Sequence, residues 1–313
     1  MTLVLTRGDL ETVLDPEACL AALDEGFRHA DGENRPPGRR IRTDLPFPGT
    51  ATALIPGLLP GIEAYTVKVN AKFPGARPAL RGVICLHGGR DGELLALLDS
   101  ATVTAWRTGL AAALGTHVLT GRADGTVGVV GAGAQAELVL RGLAVLRGRR
   151  ALVVHDTDAG RAAAFAARHG GRTAESAARV AAAADVVLLA TWSRTPLLRL
   201  ADTRPGQHVT SLGADEPGKR ELARDLLEAA LLVVDDRGPA AEMGVLASAG
   251  LPPEAAAATL GEILRGDHPG RTAPATRTVY APVGLPWQDL ALAWLAYERA
   301  ERAGVGRRID LLA

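Results

Sequence analysis

The chain of 313 residues carries 35 basic and 35 acidic side chains, so its formal net charge is zero. This length is sufficient for two domains with a sizeable core, and the balanced charge favours neither nucleic acid nor an anionic membrane as a partner. The apolar run 186–190 is too short to cross a bilayer, and Arg7 and Asp9 come too early for a signal peptide. Cys19 and Cys85 form no metal-binding or redox motif, so we expect a cytoplasmic protein without a metal site.

The first third of the chain predicts one helix followed by short strands. Residues 9–30 have the apolar spacing of a helix, with Asp15-Pro16 as a start signal. The next segment is rich in Gly, Pro and Arg, which predicts turns between strands. The predicted strands lie at 41–45, 50–55, 65–72, 83–87 and 94–98. The last two flank a glycine-rich turn and predict a β-hairpin.

Three basic residues in this part of the chain are candidates for an anion site. Lys68 lies on the polar side of an alternating strand, where the ordinary interpretation is a solvated sheet face. Arg107 lies within the apolar stripe of the helix that follows residue 100, where a guanidinium is costly unless it meets an anion. That anion is an acidic side chain, a substrate carboxylate or a cofactor pyrophosphate. Arg42 is most simply a solvated surface charge.

The segment 126–156 predicts the start of a dinucleotide-binding unit. Its apolar run 127–130 predicts a buried parallel strand, which leads into a turn of the type Gly131-x-Gly133-x-x-Ala136. The first glycine permits a tight turn, and the second lets the backbone approach a pyrophosphate. The small third residue lets the following helix pack against the strand.

The second half of the same segment predicts how the cofactor is chosen. A helix at 134–146 would offer its N-terminal N–H groups to the phosphates. A strand at 151–155 ends in Asp156, whose carboxylate can bind both ribose hydroxyls. Because residues 157–160 contain no Arg or Lys for a 2′-phosphate, we expect NAD(H) to be preferred, although NADP(H) is possible. Arg161, one helical turn further, is a nearby cation that would favour a 2′-phosphate and so act against this preference.

The remaining pattern predicts an α/β fold in which helices alternate with parallel strands. We expect a Rossmann dinucleotide-binding domain at 123–286 and a smaller α+β domain formed by 1–122 with the C-terminal helix, about 287–313. Strands of the Rossmann domain are expected at 185–190, 207–212 and 231–235. Ligands of such sheets lie beyond the carboxyl ends of the strands, which places Asp215 near the cofactor. The charged run around Asp215 is otherwise typical of a solvated loop.

Several motifs together resemble the ornithine cyclodeaminase/mu-crystallin family, which also includes alanine dehydrogenases and cyclic-imine reductases. The resemblance covers nearly the whole chain. It rests on Val67-Lys68-Val69, Ala105-Trp106-Arg107-Thr108, Gly131-Ala132-Gly133-Ala134-Gln135, the run from Gly213 to Leu222, the run from Gly266 to Arg271, and Val283-Gly284-Leu285 through Asp289. The combination is specific, although no single motif is.

The resemblance implies a role for each matching residue. Arg42, Lys68, Arg107 and Val283 would bind the substrate, and Asp215 or Lys68 would handle a proton. The implied cofactor contacts are Arg107, Gly131, Gly133, Ala134, Gln135, Asp156, Thr191, Leu212 and Lys219. Because Lys68 and Arg107 would repel each other if they converged, we also expect an anion or water cluster between them. The family further implies that the smaller domain binds substrate and pairs two subunits into a homodimer.

The leading hypothesis is an NAD(P)-dependent oxidoreductase that acts on the C=N or CH–NH bond of an α-imino or α-amino acid, for example a cyclic imino acid. Alternatives are an NAD-dependent cyclodeaminase of the ornithine or lysine type, and a non-catalytic protein that binds cofactor and a small ligand, like mu-crystallin. Ala53 stands where cyclodeaminases of the family carry a glutamate, and Pro282 stands where a serine is usual. Both departures weigh against cyclodeamination.

Overall fold

The structure, a computed structural model, describes residues 1–30, 41–47, 50–73, 76, 80–121, 125–216, 218–311 and 313. These residues form two units. The first comprises Met1–Thr108 together with Leu285–Ala313, and the second comprises Gly109–Gly284.

Strands and helices within the described ranges are numbered in chain order. The strands are β1 (Thr2–Leu5), β2 (Ile41–Asp44), β3 (Ala51–Gly57), β4 (Ala64–Lys72), β5 (Leu80–Gly88), β6 (Leu94–Asp99), β7 (Val127–Val130), β8 (Leu152–His155), β9 (Arg172–Thr173), β10 (Val186–Leu189), β11 (His208–Ser211), β12 (Leu231–Val234), β13 (Ala258–Thr259), β14 (Thr278–Tyr280) and β15 (Arg307–Ile309). The helices are α1 (Arg7–Val13), α2 (Pro16–His29), α3 (Ser100–Leu119), α4 (Ala134–Arg147), α5 (Ala159–Arg168), α6 (Ala177–Ala183), α7 (Arg224–Ala229), α8 (Arg237–Glu242), α9 (Val245–Ala249), α10 (Leu260–Arg265) and α11 (Pro286–Ala303). None of the helices in the described ranges combines the length and apolar content needed to span a membrane.

The predicted helix over 9–30 is wrong in one respect, because two helices, α1 and α2, occupy this region. Leu14 and Asp15 are extended, and the Asp15 side chain accepts a hydrogen bond of 2.9 Å from the N–H of Ala18. Pro16 is the first helical residue of α2, where its missing N–H is not needed. The predicted start signal, Asp15-Pro16, is therefore correct for α2. The extended backbone at Leu14 and Asp15 also separates α2 from α1.

The first unit contains a mainly antiparallel sheet with the strand order β15-β1-β6-β5-β4-β3-β2 among the described residues. Only β1 and β6 pair in parallel there. On one side of this sheet, α11 packs against β3 and β4 as well as against α2. In the contact with α2, the rings of Phe27 and Trp287 meet edge to face at 4.9 Å. Helix α11 thereby buries one side of the central strands.

The polar side of β4 is the buried one, which corrects the ordinary interpretation of Lys68. Lys68 is 1% exposed and Asn70 is 8% exposed, whereas Tyr65, Val67 and Val69 on the other side are only partly buried. The alternation itself was predicted correctly. Its direction is reversed because α11 supplies the carboxylate that a buried lysine requires.

The second unit contains a sheet that is parallel throughout, with the strand order β13-β12-β14-β11-β10-β7-β8-β9 among the described residues. From β7 the chain continues to β8 on one side, whereas β10 pairs with the other side of β7. The strand order therefore reverses between β7 and β10, which is where ligands bind in sheets of this type. The predicted α/β class with a Rossmann-type sheet is confirmed.

The boundary between the units lies inside α3, upstream of the polar junction at 122–125, whose first three residues lie outside the described ones. It falls earlier because the second half of α3 is packed within the second unit. A Cβ on Gly109 would lie 2.4 Å from the Cβ of Leu138 in α4, and Ala112 belongs to the core around β7. The assignment of separate roles to the two domains stays a prediction.

Candidate active site

The turn between β7 and α4 has the geometry that a dinucleotide phosphate requires. Gly131 has a φ of +93°, and a Cβ there would lie 2.4 Å from the carbonyl oxygen of Ala190 after β10. Gly133 is the N-cap of α4; no described side chain caps this helix, and a Cβ on Gly133 would meet nothing within 4 Å. Ala134 and Gln135 begin the helix. Its N-terminal N–H groups and dipole are thus available to an anion.

Asp156 follows β8 and lies next to this turn. Its Oδ2 accepts hydrogen bonds from Ala132 N–H at 2.8 Å and Arg161 Nε at 3.0 Å, and its Oδ1 accepts from Asp158 N–H at 2.9 Å and Arg161 Nη2 at 2.8 Å. Burial raises the pKa of Asp156, but the hydrogen bonds outweigh burial and bring the pKa down to about 2. Asp156 is therefore an ionised carboxylate that is already held by an arginine.

Glu221 joins the loops that follow β10 and β11. Its Oε1 accepts from the N–H and the hydroxyl of Thr191, and its Oε2 accepts from the Ser211 hydroxyl and the Gly213 N–H, all at 2.7 Å. Burial raises the pKa of Glu221 against the lowering effect of these bonds. Leu212 lies between two of the bonded residues, so Glu221 fixes the backbone of two predicted cofactor contacts, Thr191 and Leu212.

Asp215 and Lys219, predicted as a proton partner and a cofactor contact, form an ion pair with each other. Lys219 Nζ lies 2.7 Å from Asp215 Oδ1 and 3.5 Å from Glu216 Oε1, and it lies 4.3 Å from the ring centre of Trp192. Lys219 is buried, whereas the Asp215 side chain is 44% exposed. The carboxylate of Asp215 is thus held in one orientation and can still be reached from solvent.

Val283, a predicted substrate contact, has its backbone held by a buried carboxylate after β12. Asp235 Oδ1 accepts from the Val283 N–H at 3.0 Å, and Oδ2 accepts from the Gly284 N–H at 2.6 Å. Burial raises the pKa of Asp235 to about 6 against these hydrogen bonds, and repulsion from Asp236 adds to the rise. The position of Val283 is therefore set by its main chain.

Lys68 and Arg107 come together in the first unit around Asp289 of α11. Lys68 Nζ lies 2.5 Å from Asp289 Oδ2, and both side chains are 2% exposed. Arg107 Nε lies 3.3 Å from Asp289 Oδ1, but neither of these buried atoms has a hydrogen-bond partner among the described residues. Arg107 Nη1 donates to Gln288 Oε1 at 3.2 Å. The acidic side chain that the sequence left open as a partner of Arg107 is therefore Asp289, and the anion or water cluster expected between the two cations stays a prediction.

Arg42 lies apart from that buried cluster, on the edge strand β2, where it pairs with Asp44 at 3.0 Å. It is nevertheless in register with Ala53 of β3, which is in register with Asn70 of β4. Side chains in register share a face of the sheet, so Arg42 projects from the face that carries Lys68. Ala53 leaves this face without the glutamate of the cyclodeaminases.

Comparison with known proteins identifies the family. The model of the ornithine cyclodeaminase/mu-crystallin family matches residues 2–304. The chain belongs to this family. A putative dehydrogenase of Rhizobium meliloti (strain 1021) is 31% identical, with 98% of each chain covered. Two solved structures are each 26% identical to the chain. Thermococcus litoralis Δ1-pyrroline-2-carboxylate reductase, in complex with NADH and L-proline, has a TM-score of 0.92 and covers 98% of this chain and 100% of its own. An archaeal alanine dehydrogenase dimer with bound NAD has a TM-score of 0.90, with 99% of each chain covered.

Sequence reasoning missed the buried acidic residues of this family member. Asp289 stands in a motif that supported the resemblance, and Glu221 ends the charged run after β11, but nothing in either pattern indicates burial or a partner. Asp235 follows an apolar strand and was not singled out at all. Among the described residues, no group of three or more His, Cys, Asp or Glu side chains is arranged to hold a metal ion. The roles of the predicted site residues stay predictions.

Proposed function

We propose that this chain is an NAD(P)H-dependent reductase or dehydrogenase that acts on the C=N or CH–NH bond of an α-imino or α-amino acid, with a cyclic imino acid as the leading candidate. The observation that carries the proposal is the pair of buried cations, Lys68 and Arg107, in a chain that also has a glycine turn before a helix whose N-terminus no described side chain caps. The reductase and the dehydrogenase to which it is similar over its whole length support the same chemistry.

NAD(H) is the proposed cofactor, and the second unit would hold it. The fit rests on the uncapped N-terminus of α4 and on the open space at Gly133, where a pyrophosphate would meet the N–H groups of Ala134 and Gln135. Thr191 and Leu212 would line the site, because Glu221 fixes their backbone. The cofactor, when bound, would supply or accept the hydride.

Arg107 is the residue that we propose as the main partner of the substrate carboxylate. Its Nε is buried without a hydrogen-bond partner among the described residues, and its side chain still has 11% of its surface exposed. Asp289 and Gln288 hold the guanidinium in place, so that its planar fork would be oriented before the ligand arrives. Lys68 would add positive charge beside it, and Arg42 would contribute from the same sheet face.

Asp215 is proposed to handle the proton. Reduction of C=N adds one hydride to carbon and one proton to nitrogen, and the reverse reaction removes both. The Asp215 carboxylate is 44% exposed and is held by Lys219. It can therefore exchange a proton with solvent and accept a hydrogen bond from an N–H group of the substrate. Lys68 is a weaker candidate for this task, because its Nζ is buried against Asp289.

A homodimer is also proposed, on the basis of the second face of the first sheet. On this face Val67 of β4, Cys85 of β5 and Leu97 of β6 are neighbours across the strands, and all three are only partly buried in the single chain. A contiguous apolar row of this kind is typical of a surface that a second subunit covers. A cytoplasmic location is proposed as well, since both cysteines are free thiols.

The test is net NADH oxidation by the purified protein with a panel of imines. We expect Δ1-pyrroline-2-carboxylate to be reduced, and the same ring without its carboxylate to have a kcat/KM lower by about tenfold or more, since a charge-assisted hydrogen bond is lost. Equal rates with and without the carboxylate would contradict the carboxylate site.

A cyclodeaminase would instead release ammonia from ornithine or lysine without net oxidation of NADH. Tight ligand binding without turnover would identify a binding protein.

A further inference from the structure

The Asp156 carboxylate, which by its position after β8 should bind the ribose diol, has its acceptor capacity filled by the protein. A carboxylate offers about four lone-pair sites. Backbone N–H groups of Ala132 and Asp158 donate to one oxygen each, and the Nε and Nη2 of Arg161 also donate to one oxygen each. The Thr157 hydroxyl makes a longer hydrogen bond of 3.4 Å to Oδ1. A ribose diol must therefore compete with these donors, and the side chains of Arg161 and Thr157 are the ones that can move aside, since the other two donors are backbone N–H groups.

Arg161 is also an unusual residue for its place in the helix. It lies in the first turn of α5, where the helix dipole disfavours a cation, whereas Arg168 lies in the last turn, where a cation is favoured. The Arg161 side chain is 53% exposed, so it can rotate away without disturbing a core. Helix energetics alone therefore give no reason for an arginine at this position.

We infer that Arg161 sets how strongly this enzyme discriminates between NADH and NADPH. It competes with the ribose diol for Asp156, and it offsets the charge of one of the two carboxylates, Asp156 and Asp158, that would otherwise repel a 2′-phosphate. The guanidinium holds Asp156 through one edge, Nε and Nη2, and its Nη1 remains able to donate to a phosphate oxygen. Arg161 thus acts against NADH and in favour of NADPH. This inference rests on the proposed function, because it presupposes that the second unit binds a dinucleotide.

The experiment measures the equilibrium Kd of NADH and of NADPH for the purified protein by the fluorescence of the bound reduced nicotinamide. In Arg161→Ala we expect the ratio of Kd for NADPH to Kd for NADH to rise by roughly 10- to 150-fold, the value of one charge-assisted hydrogen bond. Arg161→Lys should give a smaller rise, because an ammonium keeps the charge and loses the fork. Arg168→Ala is the matched control, since it removes the same charge from the same helix without contacting Asp156.

Each result decides the matter. If the ratio in Arg161→Ala stays within about twofold of wild type, the inference is wrong, and a changed thermal midpoint of the cofactor-free protein would then show a structural role of Arg161. A ratio that falls, or one that rises equally in Arg168→Ala, also overturns it. If wild type binds neither cofactor, the proposed function fails together with the inference. Binding of both cofactors without turnover would leave the inference testable while overturning only the catalytic proposal.

Discussion

Asp289 of the first unit and Glu221 of the second are both buried acidic residues, and the two units stabilise them differently. Asp289 has two cations beside it, Lys68 at 2.5 Å and Arg107 at 3.3 Å. Among the described residues Glu221 has neutral donors alone, which make four hydrogen bonds of 2.7 Å. The first arrangement concentrates charge that an anionic ligand can share, whereas the second fixes two loops without adding positive charge. The two units thus place the same type of side chain in different surroundings, one charged and one neutral.

Removal of a cation beside Asp289 should have the largest effect. In Lys68→Met the carboxylate loses its closest counter-ion and keeps Arg107 at 3.3 Å, so the free energy of unfolding should fall by about 3 kcal/mol, the lower end of the cost of breaking a buried pair. The measurement is urea denaturation, and the same variant should lose about 10- to 150-fold in kcat/KM for a carboxylate-bearing substrate. Lys72→Met on the same strand is the matched control, because Lys72 is only partly buried.

A second variant tests how Asp289 is shared between the two cations. Lys68→Met combined with Asp289→Asn removes both charges of the closest pair but takes from Arg107 the carboxylate that lies 3.3 Å away, so the double variant should be no more stable than Lys68→Met. Its activity should stay low, because Lys68 is still missing. Full recovery of kcat/KM in the double variant would contradict a direct role of Lys68, and an unchanged stability in the single variant would contradict the importance of the pair.

The sequence predicted the parts of this molecule that depend on local pattern. The strand Val127–Val130, the glycine turn after it and the place of Asp156 after a second strand were predictable, because each depends on neighbours within about 30 residues. Binding of phosphate at the turn and of ribose at Asp156 stays a prediction. The alternation of β4 was equally visible, but which side is buried was not. That depends on Asp289, which lies 221 residues from Lys68 in the chain. Pairings over such distances arise from tertiary packing and leave no periodic signal.

Asp235 is a third buried acidic residue, and its contribution to stability should depend on pH. Its pKa is raised from 3.8 to about 6, chiefly by burial, so the folded state binds a proton more tightly than the unfolded state. Its contribution to stability is complete below about pH 4 and is lost as the pH rises through 6. Compared with Asp235→Asn, wild type should therefore lose up to about 3 kcal/mol more between pH 4 and pH 7. Urea denaturation at several pH values measures this difference, and parallel pH profiles would refute it.

Glu221→Gln should have a smaller effect, because the side chain keeps its shape and one acceptor oxygen. The new amide NH2 would face two donors, either those of Thr191 or those of Ser211 and Gly213, and a backbone N–H cannot reverse its role. A cost of about 1–3 kcal/mol in the free energy of unfolding is expected for the unsatisfied group. NADH binding should weaken as well, since Thr191 and Leu212 lose their fixed positions. Glu228→Gln, an exposed change in the same unit, is the control and should alter neither property.

An exposed ion pair provides the lower limit of the comparison. Arg7 and Glu11 pair at 2.9 Å in α1, and their side chains are 73% and 51% exposed. Water screens this pair, and Arg7 lies in the first turn of the helix, where the dipole disfavours a cation. Arg7→Ala also gains helix propensity, so we expect the free energy of unfolding to change by no more than about 0.5 kcal/mol in either direction. Urea denaturation of Arg7→Ala and of Lys68→Met under the same conditions measures the two changes in the free energy of unfolding on one scale. A loss above about 1 kcal/mol in Arg7→Ala would mean that pairing itself, and not burial, determines what these charges contribute.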